Sequence, residues 1–244
     1  MRTARRLGQA FSFGGRFPPA VGALVALTVV ASLVGVVGER NGVPLLPLGV
    51  LFPPAVLDGE VWRLVTWVFL ETQPLDLLFG CYLLWWLGRD LAFAWGERRF
   101  VAAYLGLAAG AAAVASFLSL AWPALALARF AGPWPVVDAL VVAWALLFPD
   151  RQILLFFALP VSGRALLWLT VGGTLLFAAF GGVPPYVPHL AAEALALVYL
   201  RVRPGLWFRR VRFRPLDRLR RRRGRFEVIE ADRDPDSDKP RWMN

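Results

Sequence analysis

The sequence has few of the residues that form covalent and metal cross-links. Its 244 residues include one cysteine, Cys81, and one histidine, His189. Within this chain, a single cysteine excludes an internal disulfide and a cysteine metal cluster, and a single histidine excludes a multi-histidine site. Charged residues are also scarce, at 18% of the chain, whereas 58% of the residues are hydrophobic. Soluble domains carry about 25% charged residues, so this composition indicates a membrane protein.

Lysine is almost missing as well, since Lys239 is the one lysine and arginine carries the remaining positive charge. The net charge is +10, and arginines concentrate in the segments 2–16 and 201–225. In a soluble protein such basic runs would indicate nucleic acid, but the second run directly follows a hydrophobic helix. We therefore expect residues 206–225 to anchor the topology, with docking to anionic lipid headgroups or to a partner as the alternative, and we expect no nucleic-acid partner.

Hydrophobic runs recur along the chain at lengths suited to a bilayer. They predict six transmembrane helices, at 19–38, 74–95, 100–122, 135–148, 165–180 and 186–200. Crossing the hydrocarbon core takes about 20 residues, so the short fourth run favours a helix that starts below the outer membrane surface. The apolar run 153–159 is too short to span, and we interpret it as an interfacial or re-entrant segment.

These helices divide the chain into a basic N-terminus at 1–18, a membrane domain at 19–203 and a tail at 204–244. The tail is basic and then acidic, and we expect it to be flexible. Two loops between predicted helices on one side of the membrane are rich in arginine: Arg89, Arg98, Arg99, Arg151 and Arg164. The positive-inside rule places these loops and both termini in the cytoplasm. We therefore expect a multi-pass protein of the cell (inner) membrane.

The loop between the first two predicted helices, residues 39–72, is rich in proline, glycine and aromatic residues. It is too apolar for a free hydrophilic linker, so we expect it to lie partly in the membrane interface. Trp62 and Trp67 are expected at headgroup depth, where tryptophan is enriched. We expect the Trp62-Arg63 pair to have a structural role in this loop.

Four stretches of the sequence, taken together and in this order, resemble the rhomboid family of intramembrane serine proteases. They are EVWRLVTWVFLE at 60–71, LLFGCYLLWWLGRDLAFAWGERRF at 77–100, ALLFPDRQILLFFALPV at 145–161 and HLAAEALAL at 189–197. The resemblance covers residues 45–203 and implies an all-α, six-helix membrane bundle with a large membrane-associated first outer loop. It also implies a serine nucleophile on the fourth helix and a histidine base on the sixth.

The resemblance assigns the nucleophile position to a residue that cannot act as one. The family's Gly-x-Ser-Gly sequence falls on residues 132–135, which read Gly-Pro-Trp-Pro and put Trp134 at the serine position. Indole has no nucleophilic oxygen, and the proline after it removes a backbone N–H. The base position falls on His189, which is kept. Ser116 and Ser119 are candidates for a relocated nucleophile, but they lie on the predicted third helix.

The positions that the resemblance assigns to oxyanion binding are also altered. The two histidines of the second helix fall on Glu71 and Asp76, and the asparagine falls on Gly80. A developing oxyanion needs hydrogen-bond donors, and an ionised carboxylate repels it. The sequence therefore predicts a pseudoprotease that binds the transmembrane segments of other proteins without cutting them.

Ionisable residues within the predicted helices form a possible polar pocket. Asp138 follows Trp134 by four residues, and the resemblance implies that it lies beside His189. Glu193 follows His189 by four residues and so shares its helix face. We expect Asp138, His189 and Glu193 to share one pocket, to which Asp76 is a further candidate. The pocket could join two helices, act as a pH-sensitive latch, hold a metal, or belong to an ion path.

Two other functions remain open at this point. One is an active rhomboid endopeptidase with a rearranged site, and the other is a small transporter or channel subunit. No cofactor and no metal are expected, because one histidine with carboxylates is not a specific metal pattern. The expected partners are the lipid bilayer and the transmembrane segments of other proteins.

Overall fold

The computed structural model describes residues 18–155 and 159–202. The predictions for the basic N-terminus, apart from residue 18, and for the tail at 204–244 lie outside these residues. The described helices, in chain order, are α1 (Pro19–Arg40), α2 (Leu46–Gly49), α3 (Pro53–Leu57), α4 (Arg63–Thr66), α5 (Pro74–Trp95), α6 (Glu97–Ser119), α7 (Pro123–Ala126), α8 (Trp134–Leu147), α9 (Gly163–Gly181) and α10 (Val187–Val202). Two 3₁₀ turns, Trp67–Phe69 and Pro184–Tyr186, complete the helical part. The predicted all-α membrane fold is confirmed.

Four of the described helices are long and apolar enough to cross a membrane, namely α1, α5, α6 and α9. The predicted fourth helix is short, as expected, because α8 has 14 residues. The described part of α10 has 16 residues. Prolines stand in the first turn of α1, α5 and α8, where the missing N–H has no helical partner to lose.

The segment 153–159, which we interpreted as interfacial or re-entrant, contributes to two paired β-strands that the sequence did not predict, and its position relative to the membrane stays a prediction. Strands β1 (Gln152–Leu155) and β2 (Leu159–Ser162) pair antiparallel, with Gln152 opposite Ser162. Pairing satisfies backbone polar groups that a single apolar segment would leave open. The hairpin joins α8 to α9, and the Ser162 hydroxyl caps α9 by accepting a hydrogen bond from Ala165 N.

Helix α8 is the centre of the bundle. Its sequence is apolar on every face, and every residue from Pro135 to Ala145 except Asp138 is buried. It packs against α10, α9, α5 and α6. Small side chains line the facing helices and let the backbones approach closely: Ala108, Ala111, Ala112 and Ala115 on α6, and Ala192 and Ala196 on α10.

The loop between α1 and α5 is held together by Arg63, whose side chain is almost buried. Its Nη1 donates to Pro47 O at 2.5 Å and Val50 O at 2.8 Å, and its Nε donates to Glu60 Oε2 at 2.7 Å. Trp62 Nε1 donates to Leu48 O at 3.1 Å. The Trp62-Arg63 pair therefore lies where it can fix α2 against α4.

The two tryptophans of this loop differ in environment. Trp62 is 51% exposed, which suits a position at the membrane interface. Trp67 is fully buried within the protein, and its Nε1 donates to Leu64 O at 3.1 Å, so its expected headgroup depth stays a prediction. The 3₁₀ turn Trp67–Phe69 directs this residue into the core, which the tryptophan content of the loop alone did not show.

The opposite end of the bundle is fixed by a charged cluster. Asp90 Oδ2 accepts hydrogen bonds from Trp144 Nε1 at 3.0 Å and from Arg151 Nη1 at 2.6 Å. The Arg151 guanidinium also lies over the Trp144 and Phe148 rings, 5.9 and 5.5 Å from their centroids. This cluster connects α5 to the end of α8 and the turn that follows it.

Candidate functional site

The turn before α8 shapes the first part of the candidate site. Gly132 has a φ of +101°, a value that favours glycine, and its N–H donates to Trp67 O at 3.0 Å. Pro133 precedes the helix and Pro135 lies in its first turn, so the backbone around Trp134 is rigid. The indole Nε1 of Trp134 is buried and has no hydrogen-bond partner in the described structure.

The second turn of α5 and the segment before this helix lie directly against the turn. A Cβ atom added to Gly80 would lie 3.0 Å from Pro133 Cγ and 3.8 Å from the Trp134 ring. A Cβ atom added to Gly132 would lie 2.5 Å from Glu71 Oε2. Three positions that the rhomboid resemblance singles out, Trp134, Gly80 and Glu71, are therefore close together in space. Their side chains are an indole, a hydrogen atom and a carboxylate.

Glu71 stabilises the start of α5. Its Oε1 accepts hydrogen bonds from Thr72 N at 2.8 Å and Gln73 N at 3.2 Å, and its own N–H donates to Ser32 Oγ on α1 at 2.9 Å. Burial raises the pKa of this carboxyl above its ordinary value of 4.5, and nearby Asp76 raises it further, against the lowering effect of the two backbone donors. Glu71 thus orders the segment that precedes α5, beside the Trp134 turn.

Asp76 lies away from the polar pocket in which we considered it. It is exposed in the first turn of α5, where a carboxylate interacts favourably with the helix dipole. The cavity that borders Asp138 and His189 has no contribution from Asp76. The structure therefore groups Asp76 with Glu71.

The structure brings Asp138 and His189 into contact. Asp138 lies in the second turn of α8 and His189 in the first turn of α10, and His189 Nδ1 is 2.7 Å from Asp138 Oδ2. The His189 side chain is 23% exposed and the Asp138 side chain is 22% exposed. With a proton on Nδ1, the ring donates to the carboxylate and the pair joins α8 to α10.

Glu193 lies on the same face of α10 but is enclosed more completely. It is 3% exposed, and its Oε1 accepts a hydrogen bond from Thr174 Oγ1 of α9 at 2.7 Å. The Thr174 hydroxyl is also 3.1 Å from Thr170 O one turn earlier. Glu193 therefore joins α9 to α10 close to the His189–Asp138 pair.

A cavity of about 240 Å³ opens beside the Asp138–His189 pair. Its lining is formed by Asp138, Leu169, Thr170, Gly173, Thr174, Phe177, Tyr186 and His189. Its rim carries a stacked aromatic pair, since the Phe177 and Tyr186 rings are 6.4 Å apart and inclined by 13°. Leu169 and Phe177 are 55% and 62% exposed, so the cavity borders the outward surface of α9.

Sequence reasoning missed the contribution of α9 to this site. Thr170, Gly173, Thr174 and Phe177 all come from that helix. A signal was present, because two threonines four residues apart lie on one helix face and flank a Gly-Gly pair within an apolar run. Such polar side chains in an apolar helix point to an interhelical contact.

Among the described residues, the lining of the cavity beside His189 contains no serine. Trp134 offers no nucleophilic oxygen, and His189 has a carboxylate as its hydrogen-bond partner. The two serines considered as relocated nucleophiles bond within α6, where Ser116 Oγ donates to Ala112 O and Ser119 Oγ to Ser116 O. The cavity instead presents acceptor oxygens and aromatic faces next to an apolar helix surface.

The long apolar helices and the exposed apolar side chains on them define a multi-pass integral membrane protein. The family model described as "Eukaryotic integral membrane protein (DUF1751)" matches residues 22–202, and the chain belongs to this family. The match includes Trp134, Asp138 and His189. No curated protein matches the sequence.

Proposed function

We propose that this chain is a rhomboid-like pseudoprotease, a membrane protein that binds transmembrane helices of partner proteins without cleaving them. The observation that carries this proposal is the turn before α8. Trp134, set between two prolines, fills the junction with Gly80 of α5 at the place that the resemblance gives to a catalytic serine. Glu71, a carboxylate, lies beside the same turn, where acyl transfer would require donors.

The binding surface in this proposal is the cavity at α9 together with the apolar face around it. Leu169, Phe177 and Phe180 are 55%, 62% and 86% exposed, a surface suited to contact with another apolar helix. Polar groups in the cavity add specificity, because hydrogen bonds between transmembrane helices contribute about 1–2 kcal/mol in peptides. Fold analogy alone would not support this function, and the altered site residues supply the argument.

The arrangement in the membrane follows from the same proposal. We place the end of α5, with Arg89, and the start of α6, with Arg98 and Arg99, in the cytoplasm together with both termini, and the Trp134 turn near the outer surface. The basic tail contacts anionic lipid in this arrangement.

Photocrosslinking in the membrane tests the binding surface. A diazirine side chain placed at Leu169 should crosslink to transmembrane segments of partner proteins. The matched control is Leu33 on α1, which is similarly exposed, at 54% against 55%. The proposal fails if both positions give the same crosslinked proteins in the same amounts, because such crosslinks would reflect only random collisions of lipid-exposed residues with other membrane proteins.

A cleavage assay tests the absence of catalysis. The purified chain in liposomes should not cut a transmembrane substrate, and Trp134→Ser with Pro135→Gly should not create activity, because Glu71 and Gly80 still provide no oxyanion donor. Cleavage by the unaltered chain that His189→Ala abolishes would overturn the proposal in favour of an active endopeptidase.

A further inference from the structure

We propose that the preferred partner helix carries a lysine or arginine about one turn below its outer end, and that this cation binds the Asp138–His189 cavity. The inference rests on the proposed function and names the chemistry that the partner needs. It follows from the charge of the cavity, its position beside α9 and the composition of its rim.

The charge of the site favours a bound cation. Two carboxylates, Asp138 and Glu193, lie near His189, and no arginine of the described residues forms an ion pair with either carboxylate. As long as Asp138 is ionised, the three groups together carry a net charge of zero or below, whichever states His189 and Glu193 adopt. Ionisable groups inside a membrane normally pair with one another. A cation from outside is therefore the complementary charge for this site.

A side chain from outside the bundle can reach the Asp138 carboxylate. The Asp138 carboxylate is 22% exposed at the cavity, whereas Glu193 is enclosed behind Thr174. The cavity has the volume that about eight water molecules occupy in the liquid, which is room for the head of a long basic side chain. Gly173 lines it without a side chain, and a Cβ atom added there would meet nothing within 4 Å. A helix that packs on the outward face of α9 can thus extend a side chain past Gly173.

The aromatic rim of the cavity also favours a cation. The stacked rings of Phe177 and Tyr186 stand beside the cavity, and Tyr186 also lies 5.9 Å from the His189 ring. Aromatic faces attract ammonium and guanidinium groups, most strongly where water is excluded. Carboxylate, hydroxyl and aromatic faces together favour a cation over an anion or a neutral amide.

The depth of the cation is set by the helix positions. Asp138 is four residues into α8 and His189 is two residues into α10. At 1.5 Å per residue, the pair lies within about 6 Å of the ends of both helices. A partner side chain one turn below its own outer end therefore reaches the cavity, and one at the middle of the span does not.

Synthetic transmembrane helices of leucine and alanine test the proposal. Each carries one Lys, Gln, Glu or Leu one turn below the outer end, and each is coexpressed with the full chain and captured from mild detergent. We expect Lys helices to be captured roughly three- to tenfold more than Leu helices, the scale of interhelical polar contacts in membranes. A Lys moved to the middle of the span should lose this advantage, as should Asp138→Asn.

Two glycines of α9 give a matched pair of variants. Gly173→Leu fills the cavity mouth and should remove the preference for Lys, whereas Gly172→Leu adds the same side chain at an exposed position outside the lining and should keep it. Thermal stability of both variants shows that each still folds. The proposal is overturned if all helices are captured equally, in which case helix binding itself still stands. Capture of none of them would refute the proposed function as well.

Discussion

Arg63 should be the residue on which the loop between α1 and α5 depends most. Replacing it with alanine removes the three hydrogen bonds to Glu60, Pro47 and Val50. Its side chain is 8% exposed, so water cannot easily replace the lost donors at the two carbonyl groups. The Glu60 side chain is 36% exposed, and its part of the interaction is largely screened by solvent.

The magnitude follows from the two carbonyl bonds. A hydrogen bond from a charged donor contributes about 1.5–3 kcal/mol, so the lower figure for each bond gives a loss of about 3 kcal/mol for Arg63→Ala. Arg63→Lys should recover about half of this, because one ammonium group cannot reproduce the planar donor fork. The free energy of unfolding is measured by SDS titration in mild detergent micelles, with tryptophan fluorescence as the signal.

Arg129→Ala is the matched control. Arg129 is also an arginine of the predicted outer side, but it is exposed and its guanidinium lies 5.1 Å from the Phe52 ring centroid. Such a contact at an exposed site contributes about 0.5–1 kcal/mol. The reasoning is refuted if Arg63→Ala costs no more than Arg129→Ala, because Arg63 would then not be holding the loop.

Two further outcomes are expected. Asp90→Ala should lower the free energy of unfolding by about 1–3 kcal/mol in the same titration, because it leaves the indole N–H of buried Trp144 unpaired. Arg151→Ala should lower it by under about 1 kcal/mol, since Arg151 is half-exposed. Equal losses for the two variants would contradict this difference. The raised pKa of Glu71 means that folding favours its protonated form, so this stabilisation is present below pH 4.5 and is lost as the pH rises through the raised pKa. Glu71→Gln should remove that part of the pH dependence of unfolding, and an unchanged profile would refute the assignment.

The long helices could be predicted from the sequence because their signals are local. The bounds predicted for the second helix, 74–95, coincide with α5, since Pro74 starts it and Gly96, with a φ of +88°, ends it. The short fourth hydrophobic run, predicted at 135–148, corresponds to the short helix α8. Hydrophobic runs bounded by proline and glycine leave little ambiguity once their length suits a bilayer.

What could not be predicted depends on contacts between distant parts of the chain. The burial of Trp67 depends on how the loop between α1 and α5 packs against α6. Glu71 was seen only as a replaced histidine, whereas its bonds to Thr72, Gln73 and Ser32 connect the segment before α5 to α1. The contribution of Thr174 to the site needed the position of α9, which no local pattern supplies.

The partial exposure of the Asp138–His189 pair bears on what the pair is for. A pair that served only to join α8 and α10 would gain most from full enclosure, because a hydrogen bond strengthens as the local dielectric falls. Glu193 and Thr174 show that this bundle can enclose a polar contact, since both residues are buried. Asp138 and His189 instead border a cavity that reaches the outward face of α9. That exposure leaves the Asp138 carboxylate accessible to a further cation, as the proposed partner lysine or arginine requires.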